Sequence, residues 1–131
     1  MSKGMNDKTS IETVKLIQGI GPKIDWDIKI NKQFIEAILL LENVDEVKKF
    51  LRDLMTEKEI KEFANRLEAA SLLSQDAQYS TIIERTGLSS ATIARIAKWL
   101  KGSLGGYRLV LSRLSSHHSP SKLRKGLLLS S

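Results

Sequence analysis

Apolar residues recur at helical spacing along most of this chain, and no run alternates convincingly enough to make a strand. The reading is therefore all-α. The first helical pattern covers residues 31–42. Phe34, Ile38 and Leu41 repeat on one side with Ala37 between them, and Ile35, Leu39 and Leu40 widen the apolar surface well beyond one stripe. A helix that is apolar over most of its circumference needs cover on more than one side. In a chain of 131 residues a second subunit is the natural cover. Asn43 and Asp45 then punctuate the pattern, and a second helix runs to about Leu54 with Val47, Phe50, Leu51 and Leu54 on its inner side.

Thr56 and Glu59 have the spacing of a capping box, in which a threonine and the acid three residues on satisfy each other's free amides. That predicts a long helix over 57–74. Ile60, Phe63, Ala64, Leu67, Ala70 and Ser71 mark its inner side, widened by Leu72 and Leu73 near the end. After the connection at 75–78 comes YSTIIERTGLSSATIARIAKWLK, which reads as two short helices, 79–86 and 89–100, joined at Gly87. Glycine supplies the positive φ that a sharp helix–helix corner requires. Ser89 or Ser90 can cap the second helix. Ile82, Leu88, Ile93 and Ile96 fall where a helix-turn-helix buries its apolar side. Ser90, Ala91, Thr92, Arg95 and Lys98 fall outside that apolar side on the second helix, a small, hydroxyl-rich and basic face suited to a major groove. A plain helical hairpin inside a bundle is the bland alternative.

Three glycines in residues 102–106 oppose a helix there, and a last short helix spans 107–114. The chain divides into an N-terminal arm (1–30), a helical domain (31–114) and a basic, flexible tail (115–131). Within the arm, residues 10–18 can form a short helix that Gly19-Ile20-Gly21-Pro22 breaks. GIGPK resembles the hairpin of a helix-hairpin-helix, but no second helix follows it, and a mobile arm with a turn is the preferred reading. The stretch IDWDIKI around Trp26 reads as a short extended segment or a linker.

Composition narrows the function. Cysteine is absent, so disulfides, thiolate metal sites and cysteine nucleophiles are excluded, and the chain suits a reducing, cytoplasmic interior. No run is long and apolar enough to span a membrane, and the start lacks the apolar core of a secretory signal. The net charge of +6 matters less than its placement. Glu84 is the last acidic residue. Nine basic residues follow from Arg85 onward, whereas residues 1–84 hold 12 basic against 15 acidic ones. A positive field that begins inside the reading head favours a polyanion as partner.

The segments FLRDLMTEKEI, NRLEAASLL, ERTGLSSATIARI and GGYRLVL, in this order, resemble the Trp repressor superfamily, and within it the bacterial Trp-repressor-like group labelled YerC/YecD. The match is strong from Phe50 to Leu114 and looser over the helix at 31–42. The resemblance implies an all-helical, intertwined dimer with two reading heads, binding double-stranded DNA as a transcriptional regulator. It implies that Ser89, Ser90, Ala91 and Thr92 approach base edges, that Ser80 and Thr81 lie near phosphate, and that Lys101 contacts the backbone. Arg95 and Lys98, further along the helix, can hold phosphate, and Arg95 can instead reach guanine or be structural. In the Trp repressor a threonine and two arginines hold tryptophan, and Thr56, Arg66 and Arg95 match those positions. Ile96, however, follows Arg95 where the Trp repressor keeps a glycine against the ligand. A buried isoleucine there would fill the space an indole needs, which disfavours tryptophan as co-repressor.

Enzyme readings find little support. His117 and His118 are adjacent in a serine-rich stretch, a poor arrangement for one metal, and Glu57, Glu59 and Glu62 crowd a helix start where they favour its dipole. The reading is a sequence-specific dimeric DNA-binding regulator, acting as a repressor. The alternatives are a helical protein-interaction adaptor, a DNA-binding module of a replication or mobile-element system, and a non-specific nucleoid binder.

Overall fold

The computed structural model describes residues 23–118, so the helix expected at 10–18, the GIGPK turn and the tail beyond His118 lie outside the described residues. Among the described residues the only regular elements are six α-helices. They are α1 (Lys29–Leu39), α2 (Val44–Leu54), α3 (Glu57–Ser74), α4 (Tyr79–Thr86), α5 (Ser90–Lys101) and α6 (Gly106–His117). The described residues fall into two compact units divided between Phe63 and Ala64, with α3 passing from one into the other.

In the first unit the boundaries of α1 are shifted from expectation for a local reason at each end. Asn31 lies inside the helix. Its side-chain amide donates to the Asp25 carbonyl at 2.8 Å, and the Asp27 amide donates to Asp25 Oδ1 at 2.9 Å, so a turn leads directly into Lys29. At the other end the helix stops at Leu39 because the next residues prepare α2. The Glu46 carboxylate accepts from the Glu42 amide at 3.1 Å and from the Asn43 side chain at 3.0 Å, and Asn43 Oδ1 accepts from the Glu46 amide at 3.0 Å. This reciprocal cap satisfies amides that the first turn of α2 leaves unpaired. The capping box of α3 forms as expected: Thr56 Oγ1 accepts from the Glu59 amide at 3.1 Å, and Glu59 Oε2 accepts from the Thr56 amide at 2.9 Å. No residue of α1 or α2 is buried. Leu39 and Leu40 are 77% and 75% exposed.

The second unit holds the core. Ala69, Ala70 and Leu72 of α3 meet Ile82 of α4 and Ile93 and Ile96 of α5, with Leu73, Ala77, Leu88, Tyr107 and Leu111 packed against them. Of the inner positions expected on α3, only Ala70 and Leu72 are buried, and Phe63 is exposed. Ala69 takes a place in the core instead, since two adjacent alanines let neighbouring helices approach closely where a larger pair would hold them off. α3 then closes with Asp76 in a left-handed conformation, φ 59°. The Ala77 amide donates to the Leu72 carbonyl at 3.0 Å and the Asp76 amide to Leu73 at 3.1 Å, the paired bonds of a Schellman ending. α6 runs to His117, past the expected end at 114, because no glycine or proline interrupts residues 107–118. No helix among the described residues is long and apolar enough to cross a membrane.

Candidate nucleic-acid interface

The reading head is built from its turn. Gly87 adopts φ 71° and its amide donates to the Ile83 carbonyl at 2.8 Å, ending α4 with a left-handed residue. The helix that follows is capped by Ser89, whose Oγ accepts from the Thr92 amide at 3.1 Å. Behind the turn, Ile82 and Ile93 are fully buried and Ile96 is 3% exposed. This apolar triad anchors α5 and leaves its other side outward. Leu88, at the corner, is half-buried against the same core.

Ser89, Ser90, Ala91, Arg95, Lys98 and Lys101 are exposed on α5, and Thr92 is half-buried. Ser80 and Thr81 are exposed in the first turn of α4. That helix start carries no side-chain cap: the Gln78 carbonyl accepts from the Ile82 amide at 3.1 Å, but its side chain caps nothing, so the first amides stay open beside two hydroxyls. Open amides and hydroxyls at the positive end of a helix are suited to phosphate. At the far end of α5, Lys98 and Lys101 occupy the last turn, where a cation also complements the helix dipole. Arg95 makes no hydrogen bond or ion pair with another described residue.

Two residues outside the sequence-based expectation shape this head. Thr86 is 7% exposed, and its hydroxyl donates to the Ile82 carbonyl at 2.7 Å and accepts from the Leu88 amide at 3.2 Å. It stitches both sides of the corner together. Arg108, one turn into α6, donates to the carbonyls of Leu100 and of Gly102, the latter at 2.7 Å. Its guanidinium satisfies orphan carbonyls at the end of α5 and fixes that end to α6. The available signals were a threonine directly before the turn glycine and an arginine just after a Gly-Gly loop, and neither pattern is distinctive alone.

The residues matched to a tryptophan site divide between the two units. Thr56, in the first unit, is engaged in the cap of α3. In the second unit Arg66 is half-buried, Arg95 is exposed, and the Ile96 side chain is part of the core. His117 and His118 stand edge to face, their ring centroids 5.4 Å apart. Among the described residues no group of three or more His, Asp or Glu side chains is placed to hold a metal ion.

Comparison with known proteins agrees with this architecture. An uncharacterized protein of Bacillus subtilis (strain 168), YerC, is 35% identical over 89 residues, covering 68% of this chain and 86% of its own length. The crystal structure of a TrpR-like protein from Eubacterium eligens superposes with a TM-score of 0.64 at 36% identity, over 69% of this chain and 93% of that one. A candidate Trp repressor from Staphylococcus aureus gives a TM-score of 0.61 at 36% identity, over 64% and 84% of the two chains. The family described as Trp repressor protein matches residues 29–115, from the first residue of α1 almost to the end of α6. On fold, helix order and sequence alike, the chain belongs to the Trp repressor family.

Proposed function

We propose that this protein is a sequence-specific, dimeric DNA-binding regulator that represses transcription by occupying a promoter in the cytoplasm. The observation that carries this reading is the division of α5. Ile93 and Ile96 bury one side, while Ser89, Ser90, Ala91 and Arg95 stand exposed on a helix whose turn begins an acid-free, basic stretch of chain. Short side chains let a helix sink into the major groove, and the flanking Ser80, Thr81, Lys98 and Lys101 hold phosphate on either side. Two such heads in a dimer read half-sites about 34 Å apart, one turn of duplex. The apolar surface of α1, exposed at Phe34, Ile35, Ile38 and Leu39, supports a second copy as its cover.

The head works without tryptophan. The buried Ile96 supports this, since its side chain completes the core against α3 and α4. The test is selection of bound duplexes from a random library, with and without free tryptophan. The expected result is one palindromic site enriched equally in both arms. Lys101→Ala is expected to weaken binding to all sequences alike and to lower the salt slope by about one. No enriched sequence, or enrichment only with tryptophan present, would overturn the reading.

A further inference from the structure

Two of the hydroxyls at the start of α5 are not independent. Ser89 Oγ and Thr92 Oγ1 lie 2.9 Å apart, a hydrogen-bond distance, and Ser89 Oγ also accepts from the Thr92 amide at 3.1 Å. The two hydroxyls own one hydrogen each. One of these is held between them whichever way the bond runs, so the pair offers a single outward donor. The amide bond bears on the direction. A hydroxyl that accepts a hydrogen bond becomes a better donor. Either hydroxyl can be the donor at this distance; the amide favours the run in which Ser89 donates to Thr92, and in that run Thr92, accepting in turn, is left to donate outward. Ser90 makes no such bond to a described residue and stays free to rotate.

We propose that Ser89 is a specificity-determining positioning residue: its hydroxyl orients that of Thr92 as a donor aimed at an acceptor on a base edge. In the major groove such acceptors are purine N7, guanine O6 and thymine O4, whereas the cytosine edge presents a donor and is rejected. This rests on the DNA-reading function proposed above and adds to it which chemical edge is read, and by which atom.

The test is a double-mutant cycle on the selected site and on duplexes carrying every single base-pair change. Thr92→Val keeps the shape and removes the hydroxyl. Ser89→Gly removes the orienting hydroxyl while remaining tolerated at a helix start, where glycine costs little. Each variant is expected to lose roughly three- to tenfold of discrimination at the same base pair of each half-site. The double variant is expected to lose no more than Thr92→Val alone, and Ser89→Thr, which restores a hydroxyl, to recover the wild-type pattern. A uniform loss on all sequences for Ser89→Gly would make Ser89 a helix cap only and overturn the proposal. Additive losses, or losses at different base pairs, would overturn it as well. If the wild-type chain selects no sequence at all, the DNA-reading function fails and takes this assignment with it; discrimination that survives Ser89→Gly unchanged removes the assignment alone.

Discussion

Gly87 and Gly105 have nearly the same backbone, φ 71° and φ 73°, yet different surroundings. A Cβ added at Gly87 would meet nothing within 4 Å, whereas one at Gly105 would lie 3.1 Å from Arg108 Nη2. Gly87→Ala is therefore expected to cost only the left-handed penalty, about 1 kcal/mol. Gly105→Ala is expected to cost more, because the guanidinium that fixes the end of α5 must also move. Urea denaturation of the two variants checks the order, and equal losses would mean that the Arg108 contact contributes nothing. At this scale the sequence was uneven. Gly87 was legible, since glycine between two amphipathic stretches has one good explanation. Ser89 was legible as one of two caps, but its bond to Thr92 was not, because rotamers decide whether two hydroxyls three residues apart face each other. Thr86 was not legible either: a buried threonine satisfied by its own helix looks the same in sequence as an exposed one.

Among the elements, the helices with strong punctuation were read best. The capping box of α3 and the glycine of the turn fixed 57–74 and 79–86 to the residue. Both ends of α1 differ from the sequence-based expectation because its boundaries depend on side-chain bonds, from Asn31 to Asp25 and from Glu42 and Asn43 to Glu46, that spacing does not reveal. The end of α5 depends on a partner in another helix. Arg108 reaches across the loop to Leu100 and Gly102, a link between residues six and eight positions apart that no local pattern specifies. Arg108→Ala is expected to cost about 1 kcal/mol, since water can replace much of an exposed hydrogen bond. It is also expected to speed amide exchange in the last turn of α5 while leaving α4 unaffected. Hydrogen exchange measured along the chain would show this, and an unchanged α5 terminus would refute the clamp.

For the whole molecule the informative feature is what the fold leaves uncovered. Ile30, Leu39, Leu40 and Val44 are each at least 69% exposed, and Phe34 and Ile38 are exposed as well. Apolar exposure on this scale is a liability in a free monomer and ordinary in a subunit. The wide apolar pattern over 31–42 was legible in the sequence for that reason. How a second copy would cover it was not, because complementarity belongs to the pair. The proposed dimer predicts a melting temperature that rises with protein concentration. Leu39→Glu combined with Leu40→Glu is expected to shift sedimentation toward monomer and to weaken operator binding at least tenfold, as each head then binds without its partner. Wild-type protein that sediments as a monomer at tens of micromolar would remove the dimer.

Asp76 closes α3 in a conformation where glycine would rest more easily. Its neighbours hold it there by two backbone bonds that need no particular side chain. Position 76 is thus a ready step for thermal adaptation: a lineage moving to hotter surroundings gains firmness by the single replacement Asp76→Gly, which leaves both backbone bonds in place.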